Sequence, residues 1–297
     1  MKVGFIGLGA MGFPMAANLV RKGLDVVAFD LDAAKTERLV SLGAHPAASA
    51  VEATQGKDVV FTMLPETRHV EQVVLGPDGI LNAMKAGAIL VDMSTIDPSG
   101  TDRVAAACAD RGVRFSDCPV GRLVSHAERG ESLFMIGGDD PVVAEIDPLL
   151  RAMGTAFYRC GPVGMGTRMK IVNNFMLLVT AQVVSESLVL GTKLGLSPEI
   201  IKEVTAGTTA TNGQLQIAFA SKVLKGDIEP GFTIDLTFKD LTLAMTAAAQ
   251  SRIGLPVGAA AHAVVGAARA SKYAGKDFSA LLDYASDLAG IAPPRMA

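Results

Sequence analysis

Residues 2–12 read KVGFIGLGAMG, an apolar run that leads into glycines at positions 7, 9 and 12. The run Lys2–Ile6 is typical of a buried strand, and Met11–Arg21 has the apolar spacing of a helix. In such a unit the first glycine permits the tight turn, the second lets the backbone approach a pyrophosphate, and the third lets the helix pack on the strand. Free amides and the dipole at the helix N-terminus favour that anion. The stretch therefore predicts a dinucleotide site, with these candidate cofactor contacts: Gly7, Leu8, Gly9, Ala10, Met11 and Gly12.

The rest of the first half alternates strands and helices, as in a parallel sheet covered on both faces. After Gly161 the strand-like runs stop, and the remainder is rich in Ala, Met and Leu at helical spacing. We therefore predict an α/β fold: a Rossmann-type doubly wound sheet in residues 1–163 and an all-α substrate and oligomerisation domain in residues 164–297. A long interdomain helix at about 167–194 begins the second domain, and we expect the tail from Gly290 to be loose. The further predicted strands are 25–30, 58–64, 88–93, 114–117, 133–136 and 156–159, and the further helices of the first half are 33–42, 67–75, 98–110 and 141–152.

A carboxylate at the end of the second predicted strand indicates which dinucleotide binds. Asp30 follows Gly12 by eighteen residues, near the position where an acid accepts hydrogen bonds from the adenosine ribose hydroxyls. A 2′-phosphate would meet that charge unfavourably, and no Arg or Lys follows before Lys35. Asp32 is predicted to be the N-cap of the next helix instead. We therefore expect NAD, as NADH in the reductive direction.

Two further loops are predicted at the carboxyl edge of the sheet, where ligands bind in open α/β folds. The segment Met63, Leu64 and Pro65 follows the third strand, and Thr95 follows the fourth. Taken alone, either could be an ordinary turn or helix cap. Their shared position at the crevice favours cofactor contacts.

The composition argues against polyanionic partners. A net charge of -3 and a pI near 5.8 provide no general attraction to nucleic acid or to an anionic membrane. We therefore expect a small-molecule partner, with neither nucleic acid nor membrane bound.

The cysteines and histidines predict neither a disulfide framework nor a metal site. The three cysteines form no Cys-x-x-Cys pair, and the four histidines are scattered. The start of the chain leaves no room for a signal peptide, and no apolar run approaches the ~18 to 20 residues of a membrane span. We therefore expect a cytoplasmic protein. The apolar second half predicts a homodimer or homotetramer, because a small helical domain cannot bury so much apolar surface by itself.

Lys170 and Asn174 are the candidate chemical groups. Hydride transfer to a carbonyl leaves an alkoxide, which needs a positioned acid and hydrogen-bond donors. The two residues are four apart and share one face of the predicted long helix. Apolar neighbours could lower the pKa of a lysine there and let it exchange a proton near neutrality. A solvated surface lysine is the alternative, because most lysines are exposed.

Six segments, in order along nearly the whole chain, resemble the β-hydroxyacid dehydrogenases. This family includes dehydrogenases or reductases of 3-hydroxyisobutyrate, tartronate semialdehyde and sulfolactaldehyde. The resemblance implies that Lys170 is the catalytic acid/base and that Asn174 orients it or holds substrate. It also implies that Lys239, with Asp240, closes the cofactor site from the helical domain, and that Thr95 lies at the nicotinamide and substrate. The matching segments are GLGAMG at 7–12, MLP at 63–65, DMST at 92–95, DCPV at 117–120, and residues 164–174 and 232–240.

The segment after Pro119-Val120 departs from the family pattern. Much of the family has Ser-Gly-Gly there, whereas this chain has Gly121, Arg122 and Leu123, with Ser125 close behind. A guanidinium is a fixed donor set suited to an anion with more oxygens than a simple carboxylate. The arrangement resembles the corresponding segment of the sulfolactaldehyde reductases, in which the arginine is expected to bind the sulfonate. An exposed loop charge is the alternative. Gly121, Arg122 and Ser125 are therefore candidate substrate contacts.

Together these residues predict NADH-dependent reduction of 3-sulfolactaldehyde to 2,3-dihydroxypropane-1-sulfonate, or the reverse oxidation. The anion would dock on Arg122, Ser125 and Asn174, and Lys170 would protonate the forming alkoxide. Succinic, tartronate and methylmalonate semialdehydes are alternatives, because a guanidinium also binds carboxylates. A catalytically inactive NAD-sensing module is the non-enzymatic alternative, against which the presence of both Lys170 and Asn174 argues.

Overall fold

The computed structural model describes residues 1–296, and Ala297, the last residue of the predicted tail, lies outside them. The chain divides into two compact units, Met1–Lys170 and the residues from Ile171 onward. The division lies within one continuous helix, Met165–Lys193.

The first unit is built on a nine-stranded sheet. The strand order is β3-β2-β1-β4-β5-β6-β8-β7, with β9 paired to β8. Strands β1 to β6 are parallel, whereas β8 runs antiparallel to β6 and β7 and parallel to β9. The strands are β1 (Lys2–Ile6), β2 (Asp25–Phe29), β3 (His45–Pro46), β4 (Val59–Thr62), β5 (Ile89–Asp92), β6 (Arg114–Asp117), β7 (Val120–Gly121), β8 (Ser132–Gly137) and β9 (Gly154–Gly161).

Helices cover both faces of this sheet. All residues of β4 and β5 are buried, which explains why these strands are apolar without alternation. Local capping starts several helices: the Asp32 carboxylate accepts from Ala34 N–H, as predicted, and Asp97 caps a helix with Pro98 in its first turn. The helices of this unit are α1 (Gly12–Arg21), α2 (Ala33–Val40), α3 (Ala50–Thr54), α4 (Thr67–Leu75), α5 (Pro98–Asp110), α6 (Val124–Glu128) and α7 (Asp140–Met153), followed by the start of α8 (Met165–Lys193).

Several short elements differ from the predicted pattern. The predicted strand at residues 58–64 is limited to β4, so the segment after Thr62 is already loop. Strand β3 and helix α3 were not predicted, because elements of two and five residues are too short to show a periodicity. The loop predicted after Val120 contains the short helix α6. The antiparallel direction of β8 also had no signal in its own residues, since direction depends on the path of the chain between strands.

The second unit is helical in the described residues, apart from one isolated bridge between Thr233 and Asp277. Its core brings together α8 and the later helices, with Leu178, Phe219 and Leu241 fully buried. Predicted at 167–194, the long helix spans Met165–Lys193. The α/β class with a helical second part is therefore confirmed. Its helices after α8 are α9 (Pro198–Ala206), α10 (Ile234–Gln250), α11 (Pro256–Arg269) and α12 (Leu281–Ala289), with a π-helical segment at Gln214–Phe219 and shorter 3-10 turns at Val223–Lys225 and Phe278–Ala280.

Helix α8 is long and apolar enough to cross a membrane by length and composition, with a window of mean hydropathy 1.6. The sequence prediction concerned uninterrupted apolar runs. Polar residues such as Thr180, Gln182 and Ser185 divide this helix into shorter runs, so the prediction did not single it out. Core helices of soluble proteins pass the same test. Here Leu178, Ala181 and Leu188 of α8 are fully buried in the core of the second unit.

The tail is also more ordered than predicted. Met296 N–H donates a 2.7 Å hydrogen bond to the Leu224 carbonyl oxygen. Arg295 forms an ion pair with Asp283, whose side chain is buried. These contacts hold Arg295 and Met296 against residues that lie earlier in the second unit.

Candidate active site

The three glycines of the turn between β1 and α1 have different surroundings. Gly7 has a φ of +95°, and a Cβ there would lie 2.3 Å from the Met63 carbonyl oxygen. A Cβ on Gly12 would lie 2.0 Å from the Gly7 carbonyl oxygen, so α1 packs more closely than any side chain permits. At Gly9, by contrast, a Cβ would meet no atom within 4 Å. The protein itself does not require a glycine at position 9, and the open space leaves the backbone accessible to a ligand.

The first turn of α1 has the properties of an anion site. Its N-cap, Met11, makes no side-chain hydrogen bond, and no acidic residue lies in the turn. The first amides of the helix therefore have no side-chain acceptor, and the helix dipole adds positive potential there. Together with the open backbone at Gly9, these amides fit the pyrophosphate of a dinucleotide.

Asp30 follows β2 and lies directly beside this turn. Its Oδ2 accepts a 2.6 Å hydrogen bond from Leu8 N–H, and its Oδ1 accepts a 2.9 Å bond from Asp32 N–H. Lys35 Nζ lies 3.6 Å from Oδ1. The carboxylate thus ties the glycine turn to β2, a role that the sequence did not reveal, and Lys35 partly balances its charge.

A groove of about 570 Å³ opens next to the turn. Three cationic side chains line it, Arg21, Lys35 and Arg38, together with the single carboxylate of Glu128. The guanidinium of Arg38 lies 4.4 Å from the centre of the Phe13 ring, a cation–π contact that holds it in place. The sequence did not predict this group of cationic side chains, although Lys35 and Arg38 are three residues apart in α2 and therefore share one face of that helix.

The carboxyl ends of β4 and β5 are joined by a buried hydrogen-bond network. Asp92 Oδ1 accepts bonds from Thr62 Oγ1 at 2.8 Å and from Ser94 Oγ at 2.6 Å. Ser94 Oγ in turn accepts a 2.9 Å bond from Leu64 N–H. Burial raises the pKa of Asp92 to about 6, and the hydroxyl bonds oppose that rise. The network sets the backbone of the predicted cofactor loop at Leu64.

The other predicted residues of this edge follow the same strands. Met63 and Leu64 are half-buried and Pro65 is exposed beyond β4, whereas Thr95 is half-buried beyond β5. Since β1, β4 and β5 are neighbours in the sheet, their carboxyl ends bring these residues to the edge that carries the glycine turn.

Asp117, the last residue of β6, is completely buried. Its Oδ1 accepts a 2.6 Å hydrogen bond from Gly164 N–H, and its Oδ2 accepts a 2.6 Å bond from Thr167 N–H. Burial raises the pKa of Asp117, while these amide bonds lower it. Sequence reasoning quoted this residue only as part of a motif, because its partners lie about fifty residues away.

Arg122 has left-handed backbone geometry, with a φ of +73°. Its Nη1 donates to the Glu131 carbonyl oxygen at 2.6 Å and to Thr155 Oγ1 at 2.9 Å. Nε and Nη2 make no hydrogen bond to any residue in 1–296. Glycine adopts this conformation readily, whereas a side chain makes it costly, which agrees with the glycine that much of the family carries in this segment. One edge of the guanidinium is thus held by the protein.

The remaining loop candidates flank this arginine. Gly121 pairs with Leu133 of β8, and Ser125 is exposed in α6. The neighbouring His126 is half-buried, and its Nδ1 is buried without a hydrogen-bond partner among the described residues.

Lys170 and Asn174 lie in the second and third turns of α8. Lys170 is half-buried and Asn174 is buried. Because the helix is continuous, their spacing puts them on one face. Within the second unit, Asn174 Nδ2 donates a 2.5 Å bond to Asp240 Oδ2, and Lys239 Nζ lies 3.1 Å from Asp240 Oδ1. The buried Asp240 thus fixes the Asn174 amide, and the role of Lys239 at the cofactor stays a prediction.

Two family models together match most of the chain. Residues 2–163 match the NAD binding domain of 6-phosphogluconate dehydrogenase. Residues 164–285 match the NAD-binding model of NADP-dependent 3-hydroxyisobutyrate dehydrogenase. The cofactor is therefore a nicotinamide dinucleotide.

Characterised relatives are similar over nearly their whole length. The 2-(hydroxymethyl)glutarate dehydrogenase of Eubacterium barkeri is 37% identical, over 98% of this chain and 97% of its own. The 3-sulfolactaldehyde reductase of Escherichia coli (strain K12) is also 37% identical, over 97% of each chain. Among solved structures, the 3-hydroxyisobutyrate dehydrogenase of Mycobacterium tuberculosis with L-serine superimposes with a TM-score of 0.89 at 32% identity, over 95% of this chain and 98% of its own.

Proposed function

The chain belongs to the β-hydroxyacid dehydrogenase family, and on that premise we propose that it uses NADH to reduce a short aldehyde bearing a strong anionic group. The preferred substrate is 3-sulfolactaldehyde, and the product is 2,3-dihydroxypropane-1-sulfonate. As a family member the protein is an oxidoreductase with a nicotinamide cofactor. The observation that carries the substrate proposal is Arg122, which stands in a strained, left-handed position in the predicted substrate loop.

The anion would bind to the edge of the Arg122 guanidinium that carries Nε and Nη2. Nη1 is held by Glu131 and Thr155, so the guanidinium plane is already oriented and loses little conformational freedom on binding. Nε and Nη2 could then offer two parallel donors to two sulfonate oxygens. Ser125 Oγ, three residues after Arg122 in the first turn of α6, is a further donor in the same segment.

Lys170 would supply the proton. When bound at the glycine turn, NADH would supply a hydride for the aldehyde carbon, and the electron pair of the C=O bond would pass to oxygen. The Lys170 ammonium gives that oxygen a proton from Nζ, so the product leaves as a neutral primary alcohol. In the reverse direction the neutral Lys170 amine takes the hydroxyl proton. Asn174, fixed by Asp240, would hold the substrate on the same helix face.

NAD is the preferred form of the cofactor in this proposal. The Asp30 carboxylate lies at the end of β2, where the adenosine ribose is held in this fold, and it would repel a 2′-phosphate. Lys35 balances part of that charge, so the discrimination against NADP should be smaller than an isolated carboxylate would give.

A carboxylate substrate is the second candidate. The relative named for 2-(hydroxymethyl)glutarate is as similar to this chain as the one named for 3-sulfolactaldehyde. A second carboxylate at the far end of such a molecule could occupy the Arg122 guanidinium in the same bidentate manner.

One comparison distinguishes the two candidates. The values of kcat/KM with NADH are measured on the purified protein for racemic 3-sulfolactaldehyde, succinic semialdehyde, tartronate semialdehyde and methylmalonate semialdehyde. The proposal expects the sulfonate to be preferred by about 100-fold, which corresponds to about 2.7 kcal/mol of transition-state binding. Equal or better turnover of a carboxylate would overturn the sulfonate assignment and keep the family chemistry.

The second unit also supports a homo-oligomer. Val172, Met176, Val183 and Leu190 are all more than half exposed and follow one another at intervals of four or seven residues on α8. Such spacing makes a continuous apolar stripe of the kind that packs against another helix. A second copy of the chain is the expected partner, and light scattering coupled to gel filtration should give at least twice the mass of 30.8 kDa. A Val183→Glu variant should shift the protein toward monomer.

A further inference from the structure

The buried carboxylate of Asp117 connects the sheet to the start of the helix that carries Lys170. Both oxygens are used at 2.6 Å, one by Gly164 N–H and one by Thr167 N–H. These amides belong to the first turn of α8 and the residue before it, and such groups have no acceptor within the helix itself. Asp117 therefore acts as an N-terminal cap supplied from a distant strand.

The two backbones around this carboxylate are too close for any side chain. A Cβ on Gly166 would lie 2.4 Å from the Met135 carbonyl oxygen and 2.5 Å from that of Asp117. A Cβ on Gly137 would lie 2.4 Å from Asp117 Oδ1 and 2.7 Å from Gly166 N. The helix start is thus seated directly on β6 and β8, with the carboxylate enclosed between them.

Electrostatic interactions also stabilise the contact of the start of α8 with β6 and β8. The N-terminus of a long helix carries a partial positive charge, and a carboxylate there is favoured. A hydrogen bond of 3.1 Å between the hydroxyls of Thr101 and Thr167 adds a link to α5. At the surface, Arg168 pairs with Asp102 at 2.7 Å, but that pair is exposed and contributes little.

Asp117 is also close in sequence to the substrate loop. Arg122 follows it by five residues, and Lys170 follows its partner Thr167 by three. One carboxyl group therefore ties the strand that leads into the anion-binding loop to the helical turn before Lys170. We propose that Asp117 is a positioning residue, an inference that rests on the proposed function of Lys170. Asp117 fixes the position of α8 along its axis and its rotation about that axis, so that Lys170 reaches the substrate oxygen.

The test uses Asp117→Asn in the full-length protein. The amide keeps one acceptor oxygen but puts an NH₂ group against the other backbone N–H, so one bond is lost and the charge is removed. We expect kcat to fall about 10- to 100-fold while KM for NADH stays within about twofold, because the change misplaces the acid and leaves the glycine turn intact. The isotope effect with 4-deuterated NADH should rise, since chemistry becomes slower than the other steps.

Amide hydrogen exchange provides a readout that does not depend on the role of Lys170. Peptides covering residues 164–170 should exchange faster in Asp117→Asn than in the parent. Unchanged exchange would overturn the capping inference, and faster exchange with unchanged kcat and isotope effect would overturn the positioning role. If Lys170→Ala keeps its activity, the proposed acid is wrong, whereas the exchange result still decides the capping question.

Two further variants make the comparison specific. Asp102→Asn removes an acid that contacts the same turn from the surface, and its kcat should stay within about twofold of the parent. Thr167→Val removes a hydroxyl that bonds Asp117 and Thr101 without changing shape. It should change the exchange rate and kcat in the same direction as Asp117→Asn, but by less. If Asp117→Asn does not fold, Thr167→Val takes its place as the test. No change in either quantity for Thr167→Val, with Asp117→Asn unfolded, would count against the proposal.

Discussion

The Arg122 guanidinium donates a 2.9 Å hydrogen bond to Thr155 Oγ1, although the Arg122 backbone has a φ of +73°. A left-handed conformation costs a residue with a side chain about 1 to 2 kcal/mol, so this arginine is kept in a position that glycine would occupy more easily. Strain at a loop residue with an oriented charged group is typical of a binding site.

Replacing this arginine by glycine should therefore separate binding from stability. In Arg122→Gly, KM for the anionic aldehyde should rise about 10- to 100-fold, because a charge-assisted pair of hydrogen bonds is lost. The free energy of unfolding should change by less than about 1 kcal/mol, since relief of strain offsets the lost contacts and the greater freedom of the unfolded chain. Steady-state kinetics and urea unfolding measure the two effects.

Arg252→Gly is the matched control. Arg252 is the other non-glycine residue with positive φ among residues 1–296, at +57°. Its replacement should relieve comparable strain and leave KM for the aldehyde unchanged. An Arg122→Gly enzyme with the parental KM for every anionic aldehyde would remove Arg122 from the substrate site.

Removal of the Lys170 amine should affect chemistry rather than binding. In Lys170→Ala, kcat should fall by about 10² to 10⁴, the usual contribution of general acid catalysis, and the Kd for NADH should stay within about twofold. Lys193→Ala, at the other end of the same helix, should behave like the parent. A Lys170→Ala enzyme within a few-fold of the parental kcat would show that another group supplies the proton.

Asp30 should control the choice between NADH and NADPH. Asp30→Asn keeps an acceptor for Leu8 N–H but removes the charge, and it leaves Lys35 paired with the Asp32 carboxylate alone. We expect the ratio of kcat/KM for NADH to that for NADPH to fall by at least about tenfold, because loss of one ionic repulsion is worth more than about 1.4 kcal/mol at such a site. Asp25→Asn, at the opposite end of β2, should leave the ratio unchanged. If Asp30→Asn rejected NADPH as strongly as the parent, Asp30 would have no part in the preference.

Asp92 should make the stability of the protein depend on pH. Burial raises its pKa from 3.8 to about 6 in the folded protein, so the folded state holds a proton that the unfolded state has released between those values. Its contribution to the free energy of unfolding therefore falls as pH rises from about 4 to 6. Asp92→Asn keeps the Oδ1 acceptor for Thr62 and Ser94 and cannot ionise. Relative to the parent, the variant should gain on the order of 2 to 3 kcal/mol between pH 4 and pH 7.5.

Urea unfolding of both proteins at the two pH values measures this difference. Thr62→Val removes a hydroxyl that lowers the pKa of Asp92, so it should move the transition in stability to higher pH. A difference between parent and Asp92→Asn that is the same at both pH values would contradict the expectation.

Local patterns were sufficient for much of the fold. The apolar run, glycine turn and helix of residues 2–21 were predictable because they depend on neighbours within a few residues, and so was the cap at Asp32. The Arg122 substitution was visible for the same reason, since it departs from a short motif. Its left-handed backbone and its bond to Thr155 were not visible, because β9 reaches the loop only in the folded sheet.

The buried acids Asp92 and Asp117 show most clearly what could not be predicted from the sequence. No role was predicted for either acid from its motif. Ser94, one partner of Asp92, lies two residues away, but Thr62, Gly164 and Thr167 lie thirty to fifty residues from the acids that they bond. Likewise, the partial balance of Asp30 by Lys35 depends on how α2 returns across the end of β2.

From sequence alone came the α/β class, the family, the dinucleotide turn and the candidate acid, because periodicity and short motifs act over a few residues. Only the tertiary structure decided the antiparallel β8, the short helix α6 in the substrate loop, the docked tail and the capping of α8 by Asp117. These features arise when distant segments meet and their buried polar groups must find partners, and that requirement is met only in the complete fold.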